Sequence, residues 1–86
     1  MRILLVEDEK TLRAQLRAAL SDAGYTVDEA DNGLDAQFLG DTEAFDCVVL
    51  DLGLPVVDGL TVLQRWRDGG RSMPVLILTA RDNWHE

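Results

Sequence analysis

The stretch Cys47-Val48-Val49-Leu50-Asp51-Leu52-Gly53-Leu54-Pro55 decides the fold: an apolar run ends in a carboxylate and then breaks into a turn. A short apolar run without polar alternation is the pattern of a strand buried on both faces of a sheet. Gly53, Pro55 and then Asp58-Gly59 supply the turn chemistry that makes the chain leave the sheet just where Asp51 emerges. A buried strand needs no charge at its end. An open α/β sheet presents its reactive side chains there, so Asp51 is the residue to explain.

Toward the N-terminus, Ile3 to Val6 is a second short apolar run, and it stops abruptly at Glu7-Asp8-Glu9. From Lys10 to Ala23, Leu12, Leu16, Ala19, Leu20 and Ala23 recur at helical spacing. Arg13, Arg17 and Asp22 fall elsewhere around the wheel, and Gly24 follows as a helix stop. Tyr25 to Ala30 is a more polar strand pattern, suited to a sheet edge. Asp31-Asn32-Gly33 supplies a turn and an N-cap for a helix to about Leu39, with Leu34 and Phe38 on one face and Gly40-Asp41 closing it.

On the C-terminal side of the opening stretch, Asp58 is a good N-cap for a helix that places Leu60, Leu63 and Trp66 on one face before Gly69-Gly70. Pro74 opens a last strand, Val75 to Leu78, which leads into Thr79-Ala80-Arg81. The order is strand, helix, strand, helix, strand, helix, strand, with connections short enough for right-handed crossovers. This is the pattern of an α/β fold with a doubly wound parallel sheet. No repeat, low-complexity tract or linker interrupts it, so 1–86 reads as one domain.

Composition bounds the function. Sixteen acidic against eight basic side chains give a formal charge of -8, which opposes binding to nucleic-acid phosphates or anionic membranes. The single cysteine, Cys47, lies in the apolar run with no disulfide partner and reads as a small buried hydrophobe suited to a reducing compartment. No apolar run approaches the roughly 18 residues of a membrane span. No targeting segment is visible at the start, so the expected location is cytoplasmic. His85, the one histidine, sits in a polar stretch and reads as a surface residue.

Residues just beyond the strands are Glu7 and Asp8 after the first, Asp51 after the third and Thr79 after the fourth. If the first and third strands are neighbours, three carboxylates converge. Two such charges about 4 Å apart repel by roughly 4 kcal/mol at an effective dielectric near 20. A hard divalent cation relieves this, and an oxygen-only donor set favours Mg2+. Taken singly, Glu9 can serve the helix N-terminus, Thr79 can simply end a β-branched strand, and Asp51 can open a turn. A phosphate-cradling nucleotide binder needs a Gly/Ser/Thr-rich loop where Glu7-Asp8-Glu9 stands. An aspartyl-nucleophile phosphohydrolase needs a second carboxylate two residues beyond Asp51, where Gly53 stands.

The motifs Ile3-Leu4-Leu5-Val6-Glu7-Asp8-Glu9, Asp51-Leu52-Gly53-Leu54-Pro55-Val56-Val57-Asp58-Gly59 and Pro74-Val75-Leu76-Ile77-Leu78-Thr79-Ala80-Arg81 together resemble a receiver domain of bacterial two-component response regulators. Their wording is most similar to regulators with an OmpR-like winged-helix output domain. The resemblance implies a flavodoxin-like receiver fold with four of its five strands present, in the order 2-1-3-4, and lacking the last helix-strand-helix. It implies Asp51 as phosphoryl acceptor and Asp8 and Asp51 as Mg2+ ligands. Glu7 would act on the ion through water, and the Gly53 backbone carbonyl would complete the set. Thr79 would hydrogen-bond the phosphoryl group and reorient as a switch, beside a small Ala80.

The implied activity is that of a signalling phosphoacceptor rather than a conventional enzyme, with a sensor histidine kinase as donor and DNA reached through an output domain outside this chain. A non-phosphorylated interaction or dimerisation module on the same fold is the alternative. The resemblance also implies that roughly 35 further residues complete a receiver, including a lysine on a fifth strand and an aromatic that reports the switch. Without them the fourth strand is expected to be an exposed apolar edge, prone to self-association by strand pairing or element exchange.

Overall fold

The computed structural model describes residues 1–78. Four parallel strands, β1 (Arg2–Val6), β2 (Thr26–Ala30), β3 (Cys47–Asp51) and β4 (Val75–Leu78), form one sheet in the order β2-β1-β3-β4. Three helices connect them: α1 (Lys10–Asp22), α2 (Gly33–Thr42) and α3 (Gly59–Asp68). The element order and the edge position of β2 agree with the sequence pattern. The polar β2 borders the sheet, where its Thr26 is exposed and its Asp28 and Glu29 are only half-buried.

The apolar runs of β1 and β3 are continuous because both faces of the sheet are covered. On one face Leu4, Val6, Val48 and Leu50 meet Ala36 of α2 and Val62 and Trp66 of α3. On the other, Ile3, Leu5, Val27 and Val49 meet Leu16 and Leu20 of α1. Cys47, expected to be buried, is half-buried.

Two helix faces differ from the sequence expectation. Leu34 and Phe38 do share a face of α2, but it is the solvent face, at 56% and 65% exposure. The buried face is Gly33, Ala36 and Gly40, and the helix runs through Gly40 to Thr42 instead of closing there. A Cβ on Gly40 would stand 2.3 Å from the Trp66 indole, so the glycine makes room for the largest core side chain. The Trp66 indole N–H then donates to the Gln37 carbonyl at 3.2 Å. In α3 the buried set is Gly59, Val62 and Trp66, with Leu63 partly buried and Leu60 turned outward. Large apolar residues at helical spacing suggested the core face in both helices. In α2 the packing instead needed small residues where the indole comes close, while in α3 Trp66 and, in part, Leu63 turn inward as expected and Leu60 does not.

At the other sheet edge, β4 pairs with β3 from Val48↔Val75 to Asp51↔Leu78. Its second edge pairs with no strand among the described residues, and Leu76 is 59% exposed.

Candidate metal centre

Strand order brings the acidic residues together. β1 and β3 are neighbours, with Val6 level with Leu50, so the residues that follow, Glu7 and Asp51, stand side by side at the carboxyl edge. Asp51 closes β3 and Glu7 follows β1, and each is 1% exposed, whereas Asp8 is exposed. One carboxylate oxygen from each of Glu7, Asp8 and Asp51 lies within 4.8 Å of the others.

The β1–α1 turn is held by hydrogen bonds on every side. The Glu7 N–H continues the sheet by donating to the Ala30 carbonyl at 3.1 Å, and the Arg13 guanidinium donates to the Glu7 carbonyl at 3.0 Å. Glu7 Oε2 accepts from the Glu9 N–H at 2.9 Å. Glu9 is the N-cap of α1, its carboxylate accepting from the amides of Thr11 and Leu12 at 2.6 and 3.4 Å. Of the three successive carboxylates, Glu9 therefore serves the helix, and Glu7 and Asp8 face Asp51.

Glu7 Oε1 is buried and has no hydrogen-bond partner among the described residues. Burial is the main influence pushing the Glu7 carboxyl above its usual range; the Glu9 amide opposes the shift, and the charges of Asp51 and Asp8 add to it. A buried, unpaired anionic acceptor beside two more carboxylates fits a small hard cation. All donors are oxygens, one side of the site is open at Asp8, and the charge of the ion would relieve the repulsion.

The β3–α3 turn is held differently. Gly59 returns its N–H to the Leu52 carbonyl at 2.9 Å, and a Cβ there would come within 2.4 Å of the Asp51 carbonyl oxygen. The Pro55 carbonyl accepts from Gly33 N–H at 3.2 Å and from Val57 N–H at 2.9 Å. The second bond closes a γ-turn centred on Val56 at φ +72°, the strained form for a β-branched residue. Asp58 caps α3, accepting from the Thr61 amide at 2.9 Å and its hydroxyl at 3.0 Å. The exposed Gly53 lies in this clamped turn, two residues beyond Asp51.

Of the site residues expected from sequence, Glu7, Asp8 and Asp51 are brought together, and Gly53 is on the adjoining turn. Thr79, Ala80, Arg81 and His85 lie outside the described residues. The residue that sequence reasoning missed is Arg13, which the helical spacing sets off the apolar positions of α1 and which turns in to the Glu7 carbonyl. A lone cation on a helix wheel carries no sign of which strand-end carbonyl it will reach.

A parallel 2-1-3-4 sheet with an acidic cluster at the carboxyl ends of its two central strands defines a receiver-like α/β domain. The sequence matches the response regulator receiver domain over residues 3–86, and the chain belongs to that family. It is 42% identical over 86 residues to the transcriptional regulatory protein PhoP of Escherichia coli strain K12, a match that covers all of this chain and 39% of that protein. The chain thus spans about two-fifths of the length of this curated relative.

Among solved structures, the response regulator TrrA of Thermotoga maritima in complex with Mg2+ and BeF superposes with a TM-score of 0.88 at 34% identity, covering 96% of this chain and 72% of that one. A complex of histidine kinase ThkA with TrrA gives a TM-score of 0.86 at 33% identity, covering 99% and 73% of the respective chains. No helix of the described residues is long and apolar enough to cross a membrane.

Proposed function

We propose that this receiver domain takes a phosphoryl group onto Asp51 from the phosphohistidine of a sensor histidine kinase. The observation that carries the reading is the meeting of Glu7, Asp8 and Asp51 at one rim, with Asp51 at the end of a central strand. An Asp51 carboxylate oxygen attacks phosphorus in line, the phosphorus–nitrogen bond to the imidazole breaks, and an acyl phosphate remains on Asp51 while the imidazole leaves and takes up a proton. In such a transfer the protein mainly positions the nucleophile and offsets charge on the equatorial oxygens.

Asp8, Asp51 and the Gly53 carbonyl would hold Mg2+, with Glu7 acting through water. A bound Mg2+ supplies charge neutralisation and a template for the phosphoryl oxygens. The clamped β3–α3 turn fixes the backbone that follows Asp51. Thr79 is proposed to hydrogen-bond the phosphoryl group and act as the switch. TrrA, a relative of similar fold, is known in complex with Mg2+ and BeF and with a histidine kinase, which supports this reading of the partner and the ion.

The similarity to PhoP supports a further proposal, that the whole protein regulates transcription from the cytoplasm through a separate output domain. The alternative, a non-phosphorylated interaction module, draws on the edge of β4 that pairs with no strand among the described residues and on the exposed Leu76. We propose that residues 1–86 expressed alone self-associate through that edge, measurable as a dimer by sedimentation; a monomer at high concentration would contradict it.

Acetyl phosphate and Mg2+ test the main reading on the full-length protein. The expected result is a gain of one phosphoryl mass that Asp51→Asn abolishes. No uptake, or uptake that survives Asp51→Asn, would overturn it.

A further inference from the structure

We propose that Arg13 is a positioning residue for the acidic site: by binding the Glu7 carbonyl it sets where the Glu7 and Asp8 carboxylates stand relative to Asp51. The inference rests on the cation-binding reading of that site.

Arg13 is one turn into α1, where a long cation would ordinarily extend into water. Its side chain is instead only 19% exposed and is engaged at two points. Nη1 donates to the Glu7 carbonyl at 3.0 Å, and Nε donates to Glu29 Oε1 on β2 at 3.1 Å. Glu29 also pairs with Arg17, one helical turn further along α1. The guanidinium is planar and its donors form a rigid fork, so binding Glu29 through one nitrogen aims another at the carbonyl. Glu29 and Arg17 thus hold Arg13 in register with the end of β1.

The carbonyl that Arg13 holds belongs to the peptide linking Glu7 to Asp8. Rotation of that peptide changes ψ of Glu7 and φ of Asp8 together, which would swing Asp8 away from Asp51 and redirect the turn. With the Glu7 N–H fixed to Ala30 and the Glu7 carbonyl fixed to Arg13, both sides of the residue are pinned, one by β2 and the other by α1. That pinning opposes the repulsion among three carboxylates, which would otherwise push the exposed Asp8 outward. Groups that orient metal ligands from outside the ligand set commonly change affinity by 10–100-fold when removed.

The sign of the effect separates positioning from simple charge. A positive group near a cation site weakens binding through space, so its removal should tighten Mg2+ binding if charge were its whole contribution. Positioning predicts the opposite.

The test is a calorimetric Mg2+ titration of the full-length protein and of its Arg13→Met, Arg13→Lys, Glu29→Gln and Asp8→Asn variants, with urea unfolding of each in the absence of Mg2+. Arg13→Met should raise the Mg2+ Kd by about tenfold. Arg13→Lys, which keeps the charge and one reaching donor, should recover part of the loss, and Glu29→Gln should show a smaller rise than Arg13→Met.

A lower urea midpoint with wild-type Kd in the Arg13 variants would overturn the proposal in favour of a structural role, and tighter binding would overturn it in favour of charge alone. If Arg13→Met does not fold, Arg13→Lys decides, because it keeps the charge, and a wild-type Kd there overturns the proposal. Failure of the wild type to bind Mg2+, or wild-type Kd in Asp8→Asn, would instead break the cation-site reading and the positioning role with it.

Discussion

The two turns that meet at the acidic site are built by opposite means. The β1–α1 turn is short and held by side chains: Glu9 caps the helix, Glu7 accepts from the Glu9 amide, and Arg13 reaches the Glu7 carbonyl. The β3–α3 turn is longer and, apart from the Asp58 cap, held by backbone: Gly59 against Leu52 and Asp51, Pro55 against Gly33 and Val57. The difference separates adjustable from fixed parts of the site. Residues of the first turn can change with effects mainly on charge and ligand geometry. Gly59 of the second has no ready substitute, because its neighbouring groups are main chain and cannot rotate away.

The largest expected effect tests the fixed turn. Gly59→Ala would put a methyl group 2.4 Å from the Asp51 carbonyl oxygen and 2.7 Å from the Leu52 Cα. Overpacking of this kind costs typically 1–3 kcal/mol, and contact with main chain places it near about 3 kcal/mol. Urea unfolding should show a lower midpoint at unchanged slope. A wild-type midpoint would mean that the turn yields easily and the contrast between the two turns is wrong.

The next tests the adjustable turn through pH. The Glu7 carboxyl titrates above its usual range mainly because it is buried. The native state then holds this proton after the unfolded chain has lost it. Its contribution is therefore most favourable below the usual carboxylate range and is lost as pH rises from there through the raised native value. In the absence of Mg2+, Glu7→Gln should melt near the wild-type temperature at low pH and above it at neutral pH. A gap that is independent of pH would contradict the role given to burial.

A smaller effect is expected at Val56, whose positive φ is costly for a β-branched residue. Relief of strain worth about 1–3 kcal/mol is partly offset by the entropy of glycine, about 0.5–1 kcal/mol. Val56→Gly should therefore stabilise by about 1 kcal/mol in urea unfolding. Loss of stability would show that the Val56 side chain matters more than its backbone angle.

The smallest effect is at Asp58, the exposed cap of α3. The Thr61 amide and hydroxyl hold its carboxyl below the usual range. Its contribution is present above the unfolded value and is lost as pH falls through the lowered native one. Asp58→Asn, which keeps an accepting oxygen, should differ slightly from wild type in melting temperature at neutral pH and converge with it in acid.

The same contrast explains what could be read from the residues alone. Apolar runs ending in carboxylates located β1 and β3, and once those strands are neighbours the meeting of Glu7, Asp8 and Asp51 follows from the geometry of a parallel sheet. Asp58 was legible as a cap because that role depends on local spacing. The buried face of α2 was not legible, and that of α3 only in part: Trp66 and Leu63 turn inward as their spacing suggests, whereas Leu60 does not. Leu34, Phe38 and Leu60 have the right period, but what packs is Gly40 beneath Trp66 and Gly59 beneath Asp51, contacts fixed by tertiary closeness. Arg13 escaped for a related reason, since its acceptor is a backbone carbonyl that no residue type announces.

The proposal is that the rim formed by these two turns makes Asp51 the phosphoryl acceptor. Its most direct test is to phosphorylate the full-length protein with a sensor kinase in Mg2+, reduce the acyl phosphate with borohydride and locate the converted residue by peptide mass sequencing. Conversion is expected at Asp51, dependent on Mg2+ and strongly reduced in Asp8→Asn. Conversion at Asp8 or Glu7, or at Asp51 with no dependence on Mg2+ or Asp8, would contradict it.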